Sequence, residues 1–237
     1  MSASGERPPI DTIVLLPGLD GTGELFASFV QALCGQPSVQ IVRYPVNDTL
    51  GYQELEAIVR SQLPAGGRFA LLGESFSGPI AISVAASPPP NLVACVLCCS
   101  FSRNPRPELA RLRAALFGVS PSLAPTWLIA GILLGRHTAP SLRAALREVL
   151  GKVPARVIQA RLREVLDIDV TERFTRIAMP VLYLQASADR LIPRGVGEDL
   201  QKLNPAIRLE RVEGPHFLLQ TQPKAAAAAI KAFLVAK

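Results

Sequence analysis

An apolar run, Phe69-Ala70-Leu71-Leu72, leads directly into Gly73-Glu74-Ser75-Phe76-Ser77-Gly78. This junction constrains the chain more than any other segment. Four consecutive apolar residues suit a strand buried on both faces of a parallel sheet. A Gly-x-Ser turn from such a strand into a helix lifts the serine hydroxyl out of the backbone and exposes it at the top of the sheet. The next residue, Phe76, then has its N–H directed at the same place, where an oxyanion could form. Ser75 is therefore a candidate nucleophile. The usual pattern carries its second glycine two places after the serine; here Ser77 stands there and Gly78 follows. Serine is small enough for helix and strand still to pack. The change is expected to affect the geometry of the turn, not the identity of the nucleophile. Taken alone, the string is also compatible with a plain strand-to-helix connection and a capping serine.

The same alternation recurs along the chain. Short apolar runs predict strands at 13–16, 39–42, 69–72, 92–99, 181–185 and 207–212. Helical periodicity predicts helices at 24–34, 52–63, 76–86, 194–203 and 221–235, the first through Leu25, Phe29, Val30 and Leu33. From 103 to about 170 no strand signal stands out, and prolines divide the stretch into helices at 106–117, 122–134, 140–150 and 154–166. Strands alternating with helices build a parallel sheet covered on both faces. The 237 residues suffice for one large core.

A serine hydroxyl needs a base, and the base needs an orienting acid. Only two histidines are present. His216, in Gly214-Pro215-His216-Phe217, directly follows the last predicted strand, whereas His137 lies in the helical stretch. Reactive groups of open parallel sheets gather beyond the carboxyl ends of strands, which favours His216. Asp189, in Ser187-Ala188-Asp189-Arg190-Leu191, follows the preceding strand and supplies the acid. Asp167 and Asp169 are alternatives, but they precede a strand. The order Ser75, Asp189, His216 is one known for this arrangement. A second oxyanion donor is expected from the loop Pro17-Gly18-Leu19-Asp20-Gly21-Thr22-Gly23 after the first strand. The Leu19 N–H is favoured, with Asp20 next. This loop lacks the Gly-Lys-Ser/Thr ending of a phosphate-binding P-loop and the Gly-x-Gly-x-x-Gly spacing of a dinucleotide site.

Composition narrows the remaining classes. Hydrophobic residues make up 49% of the chain and charged ones 19%, well outside the range of disordered chains. The net charge is +6, and arginine supplies much of it within 103–163: Arg103, Arg106, Arg111, Arg113, Arg136, Arg143, Arg147, Arg156, Arg161 and Arg163. Few aromatics accompany them and no nucleic-acid-binding module is recognisable, so no nucleic-acid partner is expected. These arginines are expected on solvated helix faces, with attraction to an anionic substrate or membrane surface as the other reading. The four cysteines, Cys34, Cys95, Cys98 and Cys99, are expected to act as small core hydrophobes in a reduced compartment. Alternation along a strand puts Cys98 and Cys99 on opposite faces, and Cys95 and Cys99 on the same face about 13 Å apart. Two histidines are too few for a metal site of the usual kind. No signal-peptide stretch and no apolar run of membrane-spanning length is seen, so a cytoplasmic protein without stable membrane insertion is expected.

Pro-Gly-Leu-Asp-Gly-Thr-Gly after the first strand, Gly-Glu-Ser-Phe-Ser-Gly at the turn, Ser-Ala-Asp-Arg-Leu-Ile-Pro and Gly-Pro-His-Phe together resemble the α/β-hydrolase superfamily over essentially the whole chain. The resemblance implies a small member, with about six strands where eight are usual. Its core would span 1–102 and 171–237, with 103–170 a helical cap inserted after strand 92–99. Family loops usually begin His-Gly where this chain has Pro17-Gly18. The expected activity is hydrolysis of short- to medium-chain carboxylic esters by Ser75, His216 and Asp189, with Leu19 and Phe76 N–H groups holding the oxyanion and no cofactor. An acyltransferase or thioesterase with the same triad is the alternative, followed by a non-catalytic binding homologue. The apolar stretch 123–134 would line an acyl pocket, and Asp20, Trp127, Leu128 and Phe217 are the expected substrate contacts.

Overall fold

Apolar runs that cannot be left in water fix the centre of the molecule. In the computed structural model, which describes residues 9–110, 131, 133–135 and 139–236, these runs form one six-stranded sheet. The strands are β1 (Thr12–Leu16), β2 (Ser38–Ile41), β3 (Phe69–Glu74), β4 (Leu92–Cys98), β5 (Val181–Ala186) and β6 (Arg208–Val212). Their spatial order is β2-β1-β3-β4-β5-β6, and every neighbouring pair is parallel. β3 and β5 are buried along their whole length, as strands covered on both faces must be. The edge strands β2 and β6 carry most of the polar strand residues, including Gln40, Arg208, Glu210 and Arg211, and are partly exposed.

Helices cover both faces. In chain order they are α1 (Ala27–Ala32, preceded by a 3-10 turn at Glu24–Phe26), α2 (Tyr52–Ser61), α3 (Gly78–Ala86), α4 (Pro107–Ala110), α5 (Pro140–Lys152), α6 (Ala155–Asp167), α7 (Thr171–Thr175), α8 (Gly195–Leu203), α9 (Leu218–Thr221) and α10 (Pro223–Val235). On one face Val14, Leu16, Leu71 and Leu97 pack with Leu55 and Val59 of α2, Ile80 and Val84 of α3, and Phe174 of α7. On the other, Ile13, Leu15, Ala70, Leu72 and Val96 pack with Phe29 of α1 and Ile230 and Phe233 of α10. Alternate strand residues thus feed alternate cores. Each fully buried aliphatic or aromatic side chain contributes about 1.5–3 kcal/mol.

Two expectations about cysteines are corrected. Cys99 adopts a left-handed backbone, φ 48°, immediately after β4. Strand alternation stops there, so Cys99 joins Cys98 in the same core cluster, while Cys95 packs on the opposite face. Cys34 is exposed, because the chain turns at φ 52° just past α1.

The two ends of the helical segment between β4 and β5 are drawn together by an antiparallel bridge, Arg103 to Asp169, reinforced by Val170 N–H to Ser102 O (2.8 Å). Helices expected at 140–150 and 154–166 are α5 and α6; those expected at 106–117 and 122–134 fall largely outside the described residues. The short helices α7 and α9 carried too few residues for a period to show. No helix among the described residues is long and apolar enough to cross a membrane.

The topology selects one place for chemistry. From β1 the chain moves outward to β2, then returns past β1 to β3, and all later strands lie on the other side. Leu16 pairs with Gly73, so β1 and β3 end level. The loop after β1 and the turn after β3 therefore face each other across the switch point, where open parallel sheets bind ligands.

Candidate active site

β3 continues through Gly73 and Glu74, and the chain then bends at Ser75 with φ 48°. A left-handed backbone at a non-glycine residue is strained by about 1–3 kcal/mol and persists only where its surroundings impose it. Here Ser100 Oγ, beyond the end of β4, donates to Ser75 O at 2.6 Å. That bond also fixes the plane of the 75–76 peptide, and with it the Phe76 N–H. The crossing is so close that a Cβ on Gly78 would lie 1.7 Å from Ser100 Oγ. Gly78 is thus demanded by close packing, as is Gly73, where a Cβ would lie 2.7 Å from Ser77 O. Ser77, expected to influence that packing, points elsewhere. It is fully buried, and its Oγ donates to Pro17 O and lies 2.6 Å from the Tyr44 hydroxyl. The residue that departs from the usual pattern ties the serine turn to the loop after β1.

His216 and Asp189 converge on Ser75. Ser75 Oγ is 2.8 Å from His216 Nε2, and His216 Nδ1 is 2.8 Å from Asp189 Oδ2. A carboxylate only accepts, so Nδ1 carries the proton and Nε2 is left free to accept from the serine. Asp189 sits just past β5, and its other oxygen accepts the N–H groups of Leu191 (2.8 Å) and Ile192 (2.9 Å). The His216 loop follows β6 and is held by Ala188 N–H to Gly214 O (2.9 Å) and by Phe217 N–H to Leu133 O (3.0 Å). Both side chains of the His216–Asp189 pair are 2% exposed. Asp169 instead accepts the Thr171 N–H at 2.9 Å. His137, the other histidine, lies outside the described residues.

The loop after β1 carries the expected oxyanion donors. A turn closed by Gly21 N–H to Gly18 O (3.1 Å) presents Leu19 and Asp20. Neither the Leu19 nor the Asp20 N–H has an acceptor among the described residues. The Asp20 side chain, expected to touch substrate, is 8% exposed, and its Oδ1 accepts both the N–H (2.8 Å) and the hydroxyl (2.6 Å) of Thr22. It shapes the loop. Phe217 packs at the edge of a leucine cluster with Leu25, Leu133, Leu134, Leu142, Leu146 and Leu150. Trp127 and Leu128 lie outside the described residues.

Three residues that the sequence did not single out belong to this assembly. Glu74 is buried beside the nucleophile and accepts from Gln220 Nε2 at 2.9 Å and from the Gly18 N–H. Burial raises its carboxyl to about 7, and the nearby Asp20 adds to this; Gln220, His216 and the Gly18 N–H pull the other way. Arg161, expected on a solvated helix face, is 0% exposed and lies against the β1 loop. Its signal was available: it stands four residues from both Val157 and Val165, in the middle of the apolar stripe of α6.

Comparison with known proteins agrees with this fold. The profile of the alpha/beta hydrolase family matches residues 13–230. The chain is 26% identical over 234 residues to the biotin biosynthesis bifunctional protein BioHC of Cellvibrio japonicus, covering 92% of this chain and 44% of that protein. It therefore spans less than half the length of that relative. Among solved structures, the enol-lactonase of Burkholderia xenovorans superposes with a TM-score of 0.83 at 17% identity, over 97% of this chain and 93% of that one. An esterase from Exiguobacterium antarcticum gives 0.78 at 15% identity, over 98% and 94%. At these identities the two structures share the fold with this chain.

Proposed function

The chain belongs to the alpha/beta hydrolase family, and from this premise we propose that it is a serine carboxylesterase acting on short- to medium-chain esters through an acyl-enzyme. The observation that carries the reading is the pair of 2.8 Å contacts linking Ser75, His216 and Asp189, each just beyond the end of a different strand. Ser75 Oγ attacks the ester carbonyl carbon while its proton passes to His216 Nε2. The carbonyl oxygen becomes an oxyanion held by the Leu19 and Phe76 N–H groups. Collapse breaks the bond to the alkoxy oxygen, which takes the proton from His216 and leaves as the alcohol. Water then attacks the acyl-enzyme with His216 as base, releasing the carboxylic acid and restoring Ser75. Asp189 holds the imidazole in one tautomer and stabilises the imidazolium that forms twice in the cycle.

The apolar character of the acyl group is supported by Phe217, beside His216, and by the leucine cluster around it. Trp127 and Leu128 belong to the same proposal as acyl contacts. The test is hydrolysis of p-nitrophenyl esters from acetate to decanoate by the parent chain and by Ser75→Ala. The parent should turn over, with a maximum at intermediate chain length, and Ser75→Ala should lose at least about a thousandfold in kcat. Near-parental turnover by Ser75→Ala would remove the assignment.

A further inference from the structure

We infer that Arg161 is a positioning residue for the oxyanion hole, which it holds in shape from the helical segment between β4 and β5; the inference rests on the hydrolase reading above. Its side chain is wholly buried on α6. Nη1 donates to Leu19 O and to Asp20 O, both at 2.8 Å, and Nη2 donates to Pro45 O at 3.0 Å. The guanidinium carbon stands 5.7 Å from the Tyr44 ring centroid. No carboxylate among the described residues forms an ion pair with it; Asp20 is close enough for its charge to favour the cation, but its Oδ1 is engaged with Thr22. Nε has no partner among the described residues.

A buried cation with no directly paired carboxylate is a poor way to fill an apolar stripe, since leucine or methionine there would avoid the desolvation altogether. What the guanidinium does offer is a rigid fork that binds several carbonyls at fixed angles. Two of the three carbonyls it binds, Leu19 O and Asp20 O, belong to the loop that presents the Leu19 N–H. Across a planar trans peptide, the C=O of one residue and the N–H of the next point in opposite directions, so fixing one fixes the other.

In this loop five successive carbonyls are held. Ser77 Oγ binds Pro17 O, Gly21 N–H binds Gly18 O, Arg161 binds Leu19 O and Asp20 O, and Tyr44 N–H binds Gly21 O. Gly18 O and Leu19 O bracket Leu19 itself. The first sets the direction of its N–H, and the second prevents the residue from rotating away. Arg161 is the only holder of two neighbouring carbonyls in this set, and it comes from a different part of the chain. Gly21 makes room for it: its backbone is left-handed, φ 76°, and a Cβ there would lie 2.6 Å from Nη1. α6 is further fastened to the core by Glu164, which accepts the Tyr52 N–H at 3.0 Å, and by Arg156, which donates to Asn47 O at 3.1 Å. The segment between β4 and β5 thereby becomes part of the catalytic geometry.

The experiment compares the parent with Arg161→Met, which fills the stripe without donors, and Arg161→Lys, which keeps the charge but not the fork. Sites are counted by titration with a fluorophosphonate. For each protein, kcat and KM on a p-nitrophenyl ester are measured per titrated site, with the Ki of a trifluoromethyl ketone that forms an oxyanion adduct with the serine. Arg161→Met should lose about 10- to 100-fold in kcat, somewhat less than deletion of a whole oxyanion donor. Its KM should stay within about threefold, and the ketone Ki should rise by the same factor as kcat falls. Arg161→Lys should fall between. If kcat per site and ketone Ki of Arg161→Met match the parent, the inference is overturned, as it is when only the number of titrated sites falls. If Arg161→Met does not fold, Arg161→Lys decides, and parental kcat and Ki in that variant overturn it. A parent that neither turns over ester nor titrates overturns the hydrolase reading and this inference together.

Discussion

Ser75 holds its strained backbone because Ser100, Gly78 and the paired end of β3 leave it no other course. Glu74, one residue earlier, carries a second burden at this point, a buried carboxyl raised from 4.5 to about 7 chiefly by desolvation. A group whose protonated form is favoured in the folded state gives full stability below its unfolded value. That stability is lost as pH rises from about 4.5 to about 7. The loss amounts to about 3 kcal/mol when the shift is converted at ~1.4 kcal/mol per unit. In Glu74→Gln this pH dependence should vanish, so that urea unfolding at pH 5 and pH 8 gives midpoints closer together than in the parent. Equal pH dependence in both proteins would contradict it. Ser75, Asp189 and His216 were legible from chain order, because each follows a strand that announces itself as an apolar run. Glu74 and Gln220 were not. Their contact spans 146 positions, and nothing local in either segment marks it.

Among the elements, α3 shows most directly how sequence sets position. Its residues are buried nearly all round, so it must lie between the sheet and α2 and cannot present a polar face. Its first residue is in contact with the chain beyond β4 through an absent side chain. Gly78→Ala should therefore cost about 1–3 kcal/mol, since a methyl 1.7 Å from Ser100 Oγ and 2.6 Å from its Cβ forces the helix or the segment after β4 to shift. Chemical denaturation measures the loss, and a change under 1 kcal/mol would show that the crossing is looser than described. The buried strands were legible as apolar runs, and α5 and α6 as periods bounded by prolines. The fate of the arginines was not legible from charge. Most of the charged side chains given by composition to solvated faces can stay there, but Arg161 falls on the apolar stripe of α6, and periodicity, not charge, decided its burial. Cys99 escaped its expected face for a similar local reason, one left-handed residue that ends the alternation.

At the scale of the molecule, the sheet order sets the loop after β1 beside the turn after β3, and the loops after β5 and β6 bring His216 and Asp189 to Ser75. Family membership and this geometry are compatible, while the fold alone does not specify the substrate. The central claim is that Ser75 is a nucleophile activated by His216, and covalent labelling tests it without any assumption about substrate. The chain is incubated with a fluorophosphonate, and the product is read by intact mass and peptide mapping. One adduct per chain on Ser75 is predicted, absent in Ser75→Ala and formed at least about a thousandfold more slowly in His216→Ala. Labelling that persists in Ser75→Ala, or that proceeds at the parental rate in His216→Ala, would contradict the account.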